Sequence, residues 1–299
     1  MPPGYDHAMR IAWIGLGTMG AAMAAHLARA GHGVVVYNRT PGKDAALLDL
    51  GAQRAATPAE AADGASMVFT CVSDSPDVEH VLLGADGAAQ RMAPGSVWVD
   101  CSTISPAVTR SLAAELADRE VGAVDAPVSG GSEGATNGTL TTFVGGLDEH
   151  VAAARPALDA FCKTITHLGP PGAGQAAKAV NQVLIAGTYA TLGEALVLGE
   201  REGLPMDALV AALSAGAAQS WVLENRSRNV IADDYPLGFR VELHLKDLRI
   251  ALEEAERLGL RLEVTGLIAD HETRIVAAGL GGEDVSNLAR VARGHLPGD

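Results

Sequence analysis

Over its first half the chain alternates short apolar runs with longer stretches of helical periodicity, and then the short runs stop. Residues 10–14, 33–37, 66–72, 96–100, 122–125, 139–145 and 164–168 read as strands. Between them, residues 21–30, 76–83, 106–119 and 148–161 carry helical patterns, the third of these preceded by the capping residue Ser105. Gly169-Pro170-Pro171-Gly172 punctuates the pattern, and beyond it only helical periodicity remains, over 174–201, 207–214, 222–230, 245–258 and 263–278. The pattern predicts an α/β Rossmann-type doubly wound sheet over residues 1–169, followed by an all-α domain over 170–299. At 1.5 Å per residue the first helix of the second domain would be roughly 40 Å long.

The first strand runs straight into Gly15-Leu16-Gly17-Thr18-Met19-Gly20 and a helix. In that context Gly15 permits the tight turn, Gly17 lets backbone approach a pyrophosphate, and Gly20 lets helix and strand pack closely, with phosphates at the positive end of the helix. A second strand, 33–37, follows within about 30 residues, as dinucleotide binding requires. At its end an NAD enzyme would usually carry an acidic residue for the ribose 2′-hydroxyl. This chain has Asn38-Arg39-Thr40 instead, and a guanidinium suits a 2′-phosphate. NADP is therefore the expected cofactor and NAD the less favoured one, unless Arg39 is only an exposed strand-end arginine.

In a doubly wound sheet, ligands sit outside the carboxyl ends of the strands, so the loops beginning at Val72-Ser73, Ser102-Thr103 and Ala126-Pro127 are expected to line a nicotinamide crevice. The last of these, Asp125-Ala126-Pro127-Val128-Ser129-Gly130-Gly131, offers a hydroxyl and glycine N–H groups for a carboxylate. A plain glycine-rich turn would read the same from this motif alone.

Lys178 stands near the start of the longest apolar run, with Asn181 and Gln182 three and four positions beyond it on one helical face. Ala176, Ala177, Ala179, Val180, Val183 and Leu184 surround it in sequence. Partial burial would disfavour its charged form and suit it to exchange a proton with an alcohol or carbonyl; the alternative is a lysine that snorkels into water.

Composition narrows the partners. In 299 residues, 48% are apolar and only 4% aromatic, a core of Ala, Val, Leu and Ile that suits helices on a parallel sheet. A formal charge of −14 with no Lys/Arg-rich run argues against nucleic acid or an anionic membrane as partner. Cys71, Cys101 and Cys162 show no metal-ligand spacing, the histidines pair with no carboxylate at ligand spacing, and a reducing, cytoplasmic compartment without a metal is the simplest expectation. Residues 1–7 read as a short tail without the pattern of a signal peptide, and the run 180–198 is broken often enough by polar residues and glycine to read as a buried helix.

The glycine turn, the 125–131 motif, Gly172-Ala173-Gly174 with Lys178 and Asn181, and Lys246-Asp247-Leu248 together resemble the β-hydroxyacid dehydrogenase family over nearly the whole chain. The resemblance implies hydride transfer between nicotinamide and a short 3-hydroxy acid or its semialdehyde. It further implies Lys178 as general acid/base, Asn181 as its positioning partner, Ser129, Gly130 and Gly131 as the carboxylate site, Thr103 at the nicotinamide, and Lys246 closing over the cofactor. Trp221, in a segment similar to the semialdehyde reductase branch, joins the expected substrate contacts. The family commonly has two asparagines after the lysine, and here the second is Gln182, whose longer side chain either reaches into the site or turns away. Lys178 argues against the related imine reductases, and a helical domain of about 130 residues is smaller than that of 6-phosphogluconate dehydrogenases. A non-catalytic NADP-binding module is the other class of reading. The long apolar helix suggests a homodimer or homotetramer.

Overall fold

The computed structural model describes residues 8–296; residues 1–7, expected to be a tail, lie outside them. The chain divides into two compact units, 1–178 and 179–299.

In the first unit the order is β1 (Arg10–Ile14), α1 (Thr18–Arg29), β2 (Gly33–Tyr37), α2 (Ala45–Leu48), β3 (Gln53–Arg54), α3 (Pro58–Ala62), β4 (Met67–Thr70) and α4 (Ser75–Leu83). There follow β5 (Val97–Asp100), α5 (Pro106–Ala117), β6 (Gly122–Asp125), β7 (Val128–Ser129), α6 (Gly131–Asn137), β8 (Leu140–Gly146), α7 (Asp148–Leu158) and β9 (Cys162–Gly169). Among the described residues these strands form one nine-stranded sheet in the order β3-β2-β1-β4-β5-β6-β8-β7, with β9 also paired to β8. Pairing is parallel from β3 to β6 and between β8 and β9, while β8 meets β6 and β7 antiparallel.

Alternation along each strand feeds two apolar layers, one on each face. Ile11, Trp13, Phe69 and Val99 point to one side, where Phe161 packs edge-on against Trp13 and Phe69. Ala12, Ile14, Val68 and Trp98 point to the other, against the helices around Leu82, Leu112 and Leu116. Central strands are therefore buried on both faces, which is why they read as continuous apolar runs. Reversals in strand order from β2-β1 to β4 and beyond place the β1, β4, β5 and β6 carboxyl ends on one edge, the place where such sheets take ligands.

The second unit contains α9 (Met206–Ser214), α10 (Trp221–Ala232), α11 (Val241–Arg257), α12 (Glu263–Ala277) and α13 (Ala289–Arg293). The long helix α8 (Ala173–Arg201) begins in the first unit and continues through the second. Its core face, Ala186, Tyr189, Leu192, Leu196 and Val197, packs with Leu223, Val230, Leu245, Leu248 and Ile268. With a mean hydropathy of 1.3 this helix is long and apolar enough to cross a membrane, and 44% of that window is buried inside the protein. On its other side Val180, Leu184 and Leu198 are 63%, 68% and 63% exposed.

Candidate active site

At the end of β1, Gly15 turns with φ +103°, a conformation open to glycine, and a Cβ there would lie 2.2 Å from the Cys71 carbonyl oxygen. A Cβ on Gly20 would lie 2.2 Å from the Gly15 oxygen, so α1 can press onto the turn only because Gly20 has none. Gly17 differs, with nothing within 4 Å of its would-be Cβ. The first backbone bond of α1 runs from Ala21 N–H to Gly17 oxygen, so the amides of Thr18, Met19 and Gly20 precede the helical ladder, and no side chain caps it. Open space over Gly17 beside these amides, at the positive end of a 12-residue helix, fits a pyrophosphate. The Leu16 N–H is donated to Asn38 Oδ1 at 2.8 Å.

Asn38 is bonded on both sides of its side-chain amide. Its amide accepts from Leu16 and donates to the Thr40 carbonyl at 2.8 Å, so it braces the glycine turn and the Arg39-Thr40 bend from within the fold. Arg39 is the exposed group at this strand end, its side chain 78% accessible, ion-paired with Asp77 at 3.1 Å. Val72 donates its N–H to Ser102 Oγ at 2.9 Å and is used inside the fold in the same way. Ser73 is exposed and Thr103 half-buried on the neighbouring loops.

Sequence reasoning missed what holds Lys178. Asp125, at the end of β6, accepts the N–H groups of Gly172 and Gln175, both at 2.8 Å, and so fixes the first turn of α8 to the sheet. Gln175 extends the grip: its Nε2 donates to the Ser102 carbonyl at 2.8 Å and its Oε1 accepts from Ile104 N–H at 3.1 Å. Beside it, fully buried Asp100 accepts from the Thr70 hydroxyl at 2.7 Å and from Ser102 N–H at 3.1 Å. Burial pushes the Asp100 carboxyl up to about 6 against the pull of the Ser102 and Thr70 hydrogen bonds, with nearby Asp125 adding to the rise. Burial raises Asp125 too, while its backbone donors oppose the rise. Polar side chains ending three adjacent apolar strands, Thr70, Asp100 and Asp125, were the available signal.

One turn beyond Gln175, Lys178 is 7% exposed and its ammonium donates to the Val128 carbonyl at 2.9 Å. It does not snorkel. The acceptor is the residue before Ser129, so the structure brings together the lysine and the loop singled out as a carboxylate site. Ser129 ends β7, and Gly130 and Gly131, at φ +128° and +65°, make the turn into α6. The Glu133 carboxylate comes close to Gly131 and accepts from the Ser132 hydroxyl at 3.1 Å, a negative charge at this loop that the sequence reading overlooked.

Within the second unit, Asn181 Nδ2 donates to Gln182 Oε1 at 2.7 Å, and Gln182 Nε2 donates to Asp247 Oδ2 at 2.6 Å. Lys246 pairs with the other oxygen, Oδ1, at 2.8 Å. Gln182 is wholly buried, its side chain spanning Asn181 and Asp247. Trp221, 46% exposed, opens α10 with the Arg226 guanidinium 4.9 Å from its ring centre. Of the cysteines, Cys101 and Cys162 are buried, and burial pushes the Cys162 thiol up to about 12.

This fold and glycine turn define an NAD(P)-dependent oxidoreductase of the two-domain type. Residues 10–169 match the NAD binding domain of 6-phosphogluconate dehydrogenase, and residues 172–292 match the family described as NAD-binding of NADP-dependent 3-hydroxyisobutyrate dehydrogenase. The chain belongs to the β-hydroxyacid dehydrogenase family, whose members act on the hydroxyl groups of 3-hydroxy acids. An uncharacterized oxidoreductase of Shewanella frigidimarina is 41% identical over 280 residues, 93% of this chain and 96% of the relative. The 2-hydroxy-3-oxopropionate reductase of Escherichia coli is 37% identical over 257 residues, 86% and 88% of the two chains. The crystal structure of a 3-hydroxyisobutyrate dehydrogenase from Salmonella typhimurium superimposes with a TM-score of 0.86 at 32% identity, covering 94% of this chain and 99% of that one.

Proposed function

We propose that this protein interconverts a short 3-hydroxy acid and its semialdehyde with NADP, and that Lys178 is the general acid/base. The observation that carries this reading is the buried Lys178 ammonium held at the carbonyl that precedes Ser129. Names of relatives support the substrate class, and Arg39 at the end of β2 supports NADP over NAD. Residues 1–169 would carry the cofactor through Gly15, Gly17, Thr18, Met19, Gly20 and Arg39, and residues 170–299 would complete substrate binding and subunit contacts.

Bound nicotinamide supplies or accepts the hydride. Ser129 and the N–H groups of Gly130 and Gly131 hold the substrate carboxylate, which sets the distance from that anchor to the reacting carbon. Lys178 takes the hydroxyl proton in oxidation and returns it to the oxygen in reduction. The Val128 carbonyl fixes one of its three N–H directions, and Asp125 with Gln175 fixes the turn of α8 from which it projects. Asn181 steadies the substrate one turn further along the helix. Three unbridged cysteines suit a reducing cytoplasm, and the exposed apolar face of α8 suits a homodimer or homotetramer, which light scattering would detect.

The test is Lys178→Met, which keeps apolar volume. NADPH binding by fluorescence should survive while kcat falls by at least about 10²-fold and loses its pH dependence. A variant that binds NADPH and keeps more than about a tenth of the rate would remove Lys178 from the role.

A further inference from the structure

Two of the three cysteines stand on one rung of the sheet. On the face that carries Trp13 and Phe69, side chains in register touch across strands, as the stacked rings of that pair show at 5.1 Å between centroids. Phe69 is in register with Val99 across β4 and β5, and two residues further on the same face presents Cys71 and Cys101. They lie one step past the last paired residues, Thr70 and Asp100, and hydrogen bonds hold the two chains together on both sides of them. The Cys101 N–H is donated to the Thr70 carbonyl at 2.8 Å, and the Val72 N–H to Ser102 Oγ at 2.9 Å. Neighbouring strands run about 4.7–4.9 Å apart, within the Cα separation of about 4.4–6.8 Å that a disulfide spans. Cys162 opens β9, which pairs with β8, and so stands off this rung.

Resting on the placement of the cofactor phosphates at the glycine turn, we infer that Cys71 and Cys101 close to a disulfide under a hydroperoxide, and that this bond weakens cofactor binding. Cys71 is half-buried and Cys101 is 3% exposed, so the oxidant meets Cys71 first. Its sulfur attacks one peroxide oxygen, the O–O bond breaks, and the other oxygen leaves as water with the Cys71 thiol proton. The sulfenic acid that remains is attacked by the Cys101 sulfur, and its oxygen leaves as water with the Cys101 thiol proton. Two thiols and one hydrogen peroxide thus give one disulfide and two waters. Burial pushes the Cys101 thiol well above its ordinary range, with Cys71, Cys162 and Asp100 adding to the rise, which makes the second step the slower one.

A disulfide needs Cβ atoms about 3.5–4.5 Å apart, less than the strand spacing, so closure draws Cys71 toward β5. β4 lies between β1 and β5, and the pull is therefore away from Gly15. Cys71 is the wall behind that turn. Its N–H is donated to the Ile14 oxygen at 2.9 Å, and its own carbonyl lies so close that a Cβ on Gly15 would sit 2.2 Å from it. Withdrawing the wall loosens the turn that sets the α1 amides in place. The same strain makes the bond easy to reduce, as a reversible modification in a reducing compartment requires.

In the experiment the whole protein is treated with hydrogen peroxide, its remaining thiols are alkylated under denaturing conditions, and the peptides are mapped by mass spectrometry. Cys71 and Cys101 should be joined to each other and Cys162 alkylated. NADPH affinity, read by fluorescence, should fall at least about fivefold and return after reduction with dithiothreitol. Linkage requires the converse, so saturating NADPH should shift the thiol–disulfide equilibrium in glutathione buffers toward the thiols by that same factor. In Cys101→Ala, which keeps an apolar group in the core, the sulfenic acid on Cys71 should persist and be trapped by dimedone, whereas the unaltered protein passes through it to the disulfide. Alkylation of both Cys71 and Cys101 after peroxide, oxidation of Cys71 that stops short of a bond to Cys101, or a bond to Cys162 overturns the inference. So does a mapped bond between Cys71 and Cys101 that leaves NADPH affinity unchanged. A reduced protein that binds no nicotinamide cofactor defeats the cofactor reading, and this inference with it whatever the mapping shows.

Discussion

Asp100 should impose a pH slope on the stability of the first unit that runs opposite to that of an ordinary carboxylate. Its carboxyl is wholly buried and titrates at about 6 instead of the usual 3.8. Between those two values the unfolded chain releases this proton and the folded one keeps it, so folding loses stability as pH rises through the window. That gap corresponds to about 3 kcal/mol, fully present below about pH 4 and gone above about pH 6. Asp44, held low by its Arg54 partner, slopes the other way, but it does so in any variant that leaves it untouched. The perturbation is Asp100→Asn, which can keep an oxygen toward Thr70 and Ser102, removes the titration, and gives up the 3.5 Å hydrogen bond from Gln175 Nε2 to the other oxygen, a loss that does not vary with pH. Trp98 donates its indole N–H to Thr70 Oγ1 at 2.9 Å, so its fluorescence reports unfolding at this network. Urea unfolding of both proteins at intervals from about pH 4 to about pH 7.5 gives the difference curve. The natural protein should lose about 3 kcal/mol relative to the variant across that range, most of it between about pH 4 and about pH 6. Parallel curves would refute the reasoning, since they would mean that Asp100 titrates alike in the folded and unfolded chain.

Other outcomes follow from the same geometry. Arg39→Asp should shift preference from NADPH toward NADH by at least about tenfold, about 1.4 kcal/mol, read as the ratio of kcat/KM for the two; equal use by the unaltered enzyme would contradict the role given to Arg39. Ser129→Ala should raise KM for carboxylate substrates about fivefold, for about 1 kcal/mol of hydrogen bonding, and spare an uncharged ester analogue. Gly17→Ala should leave the melting temperature unchanged and weaken NADPH binding, whereas Gly20→Ala, with its Cβ driven onto the Gly15 oxygen, should lower the melting temperature by several degrees in calorimetry.

The parts of this architecture that sequence revealed are those where one signal dominates. Gly33–Tyr37 and Gly122–Asp125 appear with the limits read from their apolar runs, because glycine precedes or opens each and a polar residue ends each. Residues 131–137 escaped notice as a helix, since Gly131, Gly134, Thr136 and Asn137 all weaken helical propensity. Tertiary packing overrides it: Gly134 and Ala135 are buried, and the Ala135 and Thr136 carbonyls meet the His26 ring. Gln53-Arg54 is exposed on the sheet edge and shows no strand signal. The burial of Lys178 was legible from its apolar neighbours, and the structure sets it against the carbonyl before Ser129. The hydrogen-bond partners of Asn38, Leu16 and Gln182 were not, because they lie far off in sequence, Leu16 for Asn38 and Asp247 for Gln182.

Asp125 grips α8 at Gly172 and Gln175, and three residues later comes Lys178, the last residue of the first unit. Helical geometry advances about 100° and 1.5 Å per residue, so the azimuth of the lysine is dictated by a carboxylate that belongs to the sheet. Every residue needed to aim it is already in place before the chain enters the second unit. On the proposed reading, the aim of this lysine is a property of the first unit, and it holds only while no residue is inserted or deleted between 172 and 178. A single insertion there would swing the ammonium by more than a quarter turn away from the Val128 carbonyl, a far harsher change than most point substitutions further along α8.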